Sequence, residues 1–383
     1  MTETQNVTQE TKSKSKNGGF TKVVIYIMAM LLILTTGLTA YTTYNMHVLK
    51  QQVSDEDNTG SNSISASTGN FTIPDNYTLI SKEQLEETKN NSYYLGRDNI
   101  LDSVKNMMQN GNTTLSMLRV LYPEYLIYAE TGGYVFKDIN KDLLMHNYDS
   151  KGFKITENNS SIPTKVEYYE DDKLASYTGI DVSKHNGNID WAKVKADGID
   201  FAIIRAANRG YGSEGKLLTD EYFTKNAQAA NENGVPIGAY IFSEAITIEE
   251  AMEEADLILS LIAPYKITYP VIIDIEEISG DTGRNETISP SELTDIVLAF
   301  CNRIKEAGYT PMLYCNLKGF IGMLEFERLE GIEKWYAYYG KELYFPYDVS
   351  MWQYSSTGKV DGVTGNVDLN ISFKNYENDK KKN

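Results

Sequence analysis

Between residues 176 and 376, eight runs rich in β-branched and aromatic residues recur. They begin near Thr178 (TGIDVSK), Phe201 (FAIIRAA), Pro236 (PIGAYIFS), Pro270 (PVIIDIEE), Thr310 (TPMLYCN), Lys334 (KWYAYYG), Val349 (VSMWQYS) and Val367 (VDLNISF). Helical patterns separate the first five, among them TDEYFTKNAQAANENG and PSELTDIVLAFCNRIKEAG, each closed by a glycine of the kind that ends helices. Strands alternating with helices require parallel strands joined by crossovers. The intervals between the last three runs are too short for a crossover helix. The pattern predicts an α/β fold, a compact (β/α) barrel whose final strands lack their helices. At about 200 residues it lies near the small end for that architecture.

The chain ahead of this barrel reads as four further segments. Residues 1–22 are polar and carry Lys12, Lys14, Lys16 and Lys22. Directly after them comes VVIYIMAMLLILTTGLTAY, uncharged from Val23 to Tyr41. That is about the 20 residues a helix needs to cross a hydrocarbon core, and the lysines before it place the N-terminus in the cytoplasm. A cleaved signal peptide fits less well, because the run is long and Leu38 fills the −3 place for cleavage after Ala40. The expectation is a cytoplasmic tail over 1–22, a single-pass transmembrane anchor over 23–44 and a solvated linker over 45–76, with everything beyond outside the cell membrane. Residues 77–170 then read as a small α+β module. Ser81 and Gln84 make a capping signal for one helix, and Ile100, Val104, Met107 and Met108 give the apolar face of a second, expected to be internal core. YLIYAETGGYVFKDI reads as a hairpin turning at Gly132 and Gly133. This module is the candidate contact surface for envelope protein partners.

Composition removes several kinds of chemistry. With 36 Lys and Arg against 53 Asp and Glu, the net charge of −17 repels polyphosphate, so no nucleic-acid partner is expected. The three histidines, His47, His146 and His185, are far apart, and with only Cys301 and Cys315 they cannot assemble a Cys/His zinc site. No metal or cofactor is expected. The two cysteines read as buried free thiols, packing as small hydrophobes. Any catalysis in such a chain must rest mostly on carboxylates.

Acidic residues punctuate three barrel runs: Asp181 in GIDVSKHNG, Asp274 with Glu276 in VIIDIEE, and Asp368 in GNVDLN, the last at the start of its run rather than its end. Barrel active sites form at the C-terminal ends of strands. Side chains alternate along a strand, so Asp274 and Glu276 share a face about 6.5 Å apart along the backbone, and Glu277 points the other way. A single acid at a strand end can simply cap the next helix. Two on one face of a buried strand carry a desolvation cost that structure alone does not reward. Two carboxyls held close have their pKa values pushed apart into one acid and one anion, which is what glycoside hydrolysis requires. Tyr240, Trp335, Tyr338, Tyr339, Trp352 and Tyr354 offer the aromatic planes on which sugar rings pack, although alternate strand aromatics serve the core as often.

The succession GIDVSKHNGNIDWAKVKADGIDFAIIRAA, GVPIGAYIF, PVIIDIEE and WQYSSTGKVDGVTGNVDLN resembles glycoside hydrolase family 25, the Chalaropsis-type lysozymes or N-acetylmuramidases, across nearly the whole barrel segment. The resemblance implies a modified barrel of five β/α units plus three strands. It also implies hydrolysis of the β-1,4 bond from N-acetylmuramic acid to N-acetylglucosamine in peptidoglycan glycan strands. It carries over Asp181, Asp274, Glu276 and Asp368 as the acidic cluster, with Glu276 as general acid and Asp274 as stabiliser of the reacting sugar. Candidate substrate-binding residues are Tyr240, Trp335, Tyr339, Trp352, Gln353 and Arg205. Two departures bear on which glycan or peptide decoration is recognised: Arg205-Ala206-Ala207-Asn208-Arg209-Gly210 stands where the family commonly has Lys-Ala-Thr-Glu-Gly, and Tyr240-Ile241-Phe242 where it commonly has Tyr-His-Phe. The competing expectation is a catalytically silent glycan-binding or envelope-assembly module, which has no use for a perturbed acid pair.

Overall fold

The structure, a computed structural model, describes residues 80–157, 163–278 and 283–379. The tail, anchor and linker expected over residues 1–76 lie outside the described residues. Among the described residues no helix is long and apolar enough to cross a membrane. The chain divides into two compact units between Ser92 and Tyr93. The described part of the first, residues 80–92, opens helix α1 (Lys82–Gln109). Ser81 and Gln84 cap it reciprocally, the Gln84 backbone nitrogen donating to Ser81 Oγ at 3.1 Å and the Ser81 backbone nitrogen to Gln84 Oε1 at 2.9 Å. Two helices were expected over this stretch; one forms. Its single internal glycine, Gly96, costs only about 1 kcal/mol against alanine and does not break it. The expected core face is also corrected: Val104 is the buried residue of α1, while Ile100 is 50% exposed and Met108 41%.

The second unit begins with the rest of that helix and continues with α2 (Thr114–Leu121), capped by Thr113, and the hairpin β1 (Tyr125–Glu130) and β2 (Gly133–Asp138). Gly132 turns the hairpin at φ 89°, a conformation other residues reach only with strain. A small antiparallel sheet that sequence patterning did not reveal follows: β3 (Phe153–Glu157), β4 (Pro163–Glu170) and β5 (Lys173–Leu174). Val166 of β4, with Leu126 and Tyr128 of β1, is buried in the same apolar cluster that surrounds the barrel.

Among the described residues, eight strands close into a ring. In chain order the barrel comprises β6 (Tyr177–Val182), α3 (Trp191–Ala196), β7 (Phe201–Arg209), the short β8 (Leu217–Thr219) that folds back on β7, and α4 (Phe223–Glu232). Next come β9 (Ile237–Phe242), α5 (Ile248–Ile262), β10 (Ile267–Asp274), α6 (Pro290–Glu306) and β11 (Pro311–Asn316). Then follow β12 (Glu333–Ala337), β13 (Met351–Gly358), β14 (Val367–Ser372) and a terminal turn of helix, α7 (Tyr376–Asp379). The ring runs β6-β7-β9-β10-β11-β12-β13-β14 and closes on β6. All eight strand runs read from sequence are present. The fifth β/α unit differs from expectation, because β11 is followed by a five-residue π turn (Gly319–Met323) and a 3-10 turn (Phe326–Leu329) in place of an α-helix.

One further difference decides the site. Neighbouring strands of the ring from β6 through β13 are parallel, but β14 runs antiparallel to both β13 and β6. The start of β14 therefore lies at the end of the barrel where the other strands finish, and Asp368 is the register partner of Asp181. Period-2 alternation then sorts the faces. Inward side chains make a closed floor and wall of Phe201, Ile203, Tyr269, Ile272, Met312 and Met351. Phe201 and Tyr269 stack at 4.3 Å, in a space left by Gly179, where a Cβ would come within 2.2 Å of the Phe201 ring. Each such aliphatic or aromatic side chain removed from water contributes roughly 1.5–3 kcal/mol. Outward side chains pack under the helices, and Cys301 and Cys315 are buried there as free thiols.

Candidate active site

Above the apolar floor, the strand ends enclose a cleft of about 150 Å³ lined by Asp181, Tyr240, Asp274, Glu276, Tyr314, Trp335, Tyr339, Gln353 and Asp368. All four acids singled out in the sequence meet there. They are supplied by β6, by the end of β10 and the segment that follows it, and by β14.

Asp181 is held from two sides. Gln353 Nε2 and Asn370 Nδ2 both donate to its Oδ2 at 2.8 Å. Each amide is itself oriented: the Tyr314 and Tyr339 hydroxyls both donate to Gln353 Oε1 at 2.9 Å, and Trp335 Nε1 donates to Asn370 Oδ1 at 2.9 Å. With each carbonyl oxygen engaged by a donor, the two NH2 groups must face Asp181. Burial pushes Asp181 up to about 6, and the two amide bonds work in the opposite direction.

Asp274 is 4% exposed, and burial followed by the charge of Glu276 raises it well above the usual carboxylate range. Burial raises Glu276 too, opposed by a hydrogen bond from Asp274. Burial and mutual repulsion thus favour retention of a proton by the pair at a pH where ordinary carboxyls have lost theirs. Asp274 Oδ1 has no hydrogen-bond partner, a buried acceptor left open to a ligand's donor. Asp368 is pushed up to about 8, first by burial and then by the charges of Asp181 and Glu276.

The candidate binding residues divide. Tyr240, Trp335, Tyr339 and Gln353 line the cleft. Trp335 is 2% exposed, boxed by Tyr314 at 4.6 Å, and its indole nitrogen is engaged by Asn370, so it acts chiefly to orient that amide. Tyr339, 47% exposed at the rim, offers an open ring face. Trp352 is a correction: it lies on the outward face of β13, fully buried against Phe153, with its indole nitrogen donating to the Tyr338 carbonyl. Alternation from Gln353 dictates this, since adjacent residues cannot share a face. Tyr338 and Tyr354 also pack outside the ring. Arg205 does not line the cleft. Its Nε pairs with Asp220 at 2.8 Å, and its charge lies close enough to moderate the pKa of Asp274. Sequence reading missed Tyr314 and Asn370. Both carried a signal, Tyr314 sharing the inward parity of Met312 and Asn370 lying two residues beyond Asp368.

A cleft of carboxyls raised by burial, lined by no titratable group of another kind beyond tyrosine, is suited to acid-assisted cleavage of a polar bond, the chemistry of glycoside hydrolases. The profile of Glycosyl hydrolases family 25 matches residues 180–363. The uncharacterized protein YegX of Escherichia coli K12 is 33% identical over 217 residues, covering 51% of this chain and 70% of that protein. Lysozyme M1 of Streptomyces globisporus is 29% identical over 211 residues, covering 50% and 66%. Among solved structures, the modular autolysin LytC from Streptococcus pneumoniae aligns with a TM-score of 0.45 at 23% identity, covering 64% of this chain and 56% of that one. This chain belongs to glycosyl hydrolases family 25.

Proposed function

We propose that this protein is a membrane-anchored cell-wall muramidase. It hydrolyses the β-1,4 bond between N-acetylmuramic acid and N-acetylglucosamine in peptidoglycan, with retention of configuration. The observation that carries the reading is the meeting of Asp274 and Glu276, both raised by burial, in one cleft beside an Asp181 locked by two amides. The lysozyme relative supports the choice of glycan.

The geometry fits a substrate-assisted route. When the N–H of a sugar 2-acetamido group donates to Asp274, the anion of that residue is favoured, and its proton passes along the existing hydrogen bond to Glu276. Glu276 then protonates the departing glycosidic oxygen while the acetamido oxygen attacks the anomeric carbon and Asp274 stabilises the charge developing on its nitrogen. Water opens the resulting ring, and Glu276 takes its proton back. Asp181, fixed as an acceptor, and Asp368 set the field around the pair.

The lysines before Val23 support a cytoplasmic N-terminus, with the barrel outside, facing the wall. Protease added to intact wall-stripped cells should digest the barrel and spare a tag at Thr2; the reverse pattern would refute that topology. Release of reducing ends from purified peptidoglycan, with Glu276→Gln assayed beside the wild type, tests the activity. No release by the wild type would overturn it.

A further inference from the structure

Glu276 lies past the last residue of β10, so the strand ladder does not by itself hold its backbone. Three ties flank it. The Ile275 nitrogen donates to the Tyr314 carbonyl at 3.1 Å, and the Ile278 nitrogen donates to Glu286 Oε1 at 3.1 Å. Between them Glu277, directed outward, is gripped by Lys318 from the turn after β11. That turn sits tight against the strand end, since a Cβ on Gly319 would meet Cys315 Cβ at 2.8 Å and the Ile275 carbonyl at 3.5 Å.

Lys318 has a second partner from a different part of the chain. Its Nζ lies 3.1 Å from Oε1 of Glu130, the last residue of β1 in the N-terminal hairpin. The same hairpin seats Tyr128 against the π turn, where its hydroxyl is 2.7 Å from the place a Cβ would occupy on Gly322. A second contact of the module lies outside the ring, next to Tyr339 in the chain. Arg119 of α2 donates to the Tyr338 hydroxyl at 3.2 Å and lies 4.0 Å over the Tyr344 ring, and the residue after Tyr338 is the cleft residue Tyr339. Here the module touches the chain neighbour of a cleft residue directly, whereas at Glu276 it reaches the neighbour, Glu277, through Lys318.

We propose that Lys318, clamped between Glu130 of the hairpin and Glu277, is a positioning residue for Glu276, so that the N-terminal module is a working part of the catalytic apparatus rather than a passive spacer. The proposal rests on the muramidase reading above. Lys318 touches no part of the cleft; it acts by fixing the direction in which the short segment 275–278 aims Glu276. An ion pair this close to solvent contributes little to stability, whereas a misplaced catalytic group loses rate steeply.

The test uses the full-length protein in detergent, with soluble glycan strands as substrate and kcat and KM measured separately. K318M should lower kcat about tenfold with KM within about twofold of wild type, and K318R, which can still bridge both carboxylates, should recover most of the loss. E130Q, which removes only the hairpin's half of the clamp, should lower kcat by a smaller factor, again with KM unchanged; it serves as the deciding variant if K318M does not fold. Wild-type kcat in both K318M and E130Q, a loss confined to KM, or a failure of K318R to recover activity in a folded protein would overturn the proposal. A wild type with no activity on this substrate would instead overturn the muramidase reading itself.

Discussion

Asp368 and Asp181 face one another as register partners across the antiparallel pairing of β14 with β6. Two like charges brought together in a buried place disfavour ionisation of one of them, and Asp368, without the two amide donors that Asp181 has, is the one displaced further, to about 8 against about 6.

Stability should therefore fall as pH rises. A carboxyl whose folded pKa exceeds its unfolded value of 3.8 binds more protons in the native state between those two values, so unfolding becomes easier with increasing pH. For Asp368 the window runs from about 4 to about 8. Asp368→Asn removes this liability, and its melting temperature should exceed that of wild type by a margin that widens from pH 5 to pH 8. A margin independent of pH would show that Asp368 ionises normally.

Glu276→Gln should lower hydrolysis by 100-fold or more, about the contribution of a positioned general acid, with folding and glycan binding nearly intact. Activity within a few-fold of wild type would move the acid role to another carboxyl.

Gln353→Met should cost about 1–3 kcal/mol in urea unfolding, because it strips Asp181 of a donor and leaves the Tyr314 and Tyr339 hydroxyls without their acceptor. Activity should fall with it. Tyr339→Phe should be milder, since Tyr314 still orients the amide. Equal losses in the two variants would contradict the arrangement.

The first-formed product, followed by nuclear magnetic resonance, should be the β anomer. Initial α product would eliminate retention. A substrate lacking the 2-acetamido group should bind and remain almost uncleaved; efficient cleavage, or a trapped glycosyl ester on Asp274, would favour direct attack by that residue.

Trp352 and Gln353 show how finely strand alternation sorts function. They are adjacent, yet one is locked in the outer core and the other holds Asp181. Alternation was readable from the sequence, and applied strictly it would have excluded Trp352. The helix after β11 could not be excluded in that way, because the length of chain between β11 and β12 allows one and only packing against the hairpin shows what fills the space.

Local chemistry determined the strand runs, the glycine-closed helices, and the shared face of Asp274 and Glu276, since these depend on neighbours a few positions apart. The rest depended on residues remote in the chain. Asn370 reaches Asp181 from 189 positions away, the reversal of β14 carries Asp368 to the mouth of the barrel, and Glu130 reaches Lys318 across most of the fold. Desolvation and charge–charge repulsion act through space. Which carboxyls meet, and which of them keep a proton, was therefore decided only when the ring closed.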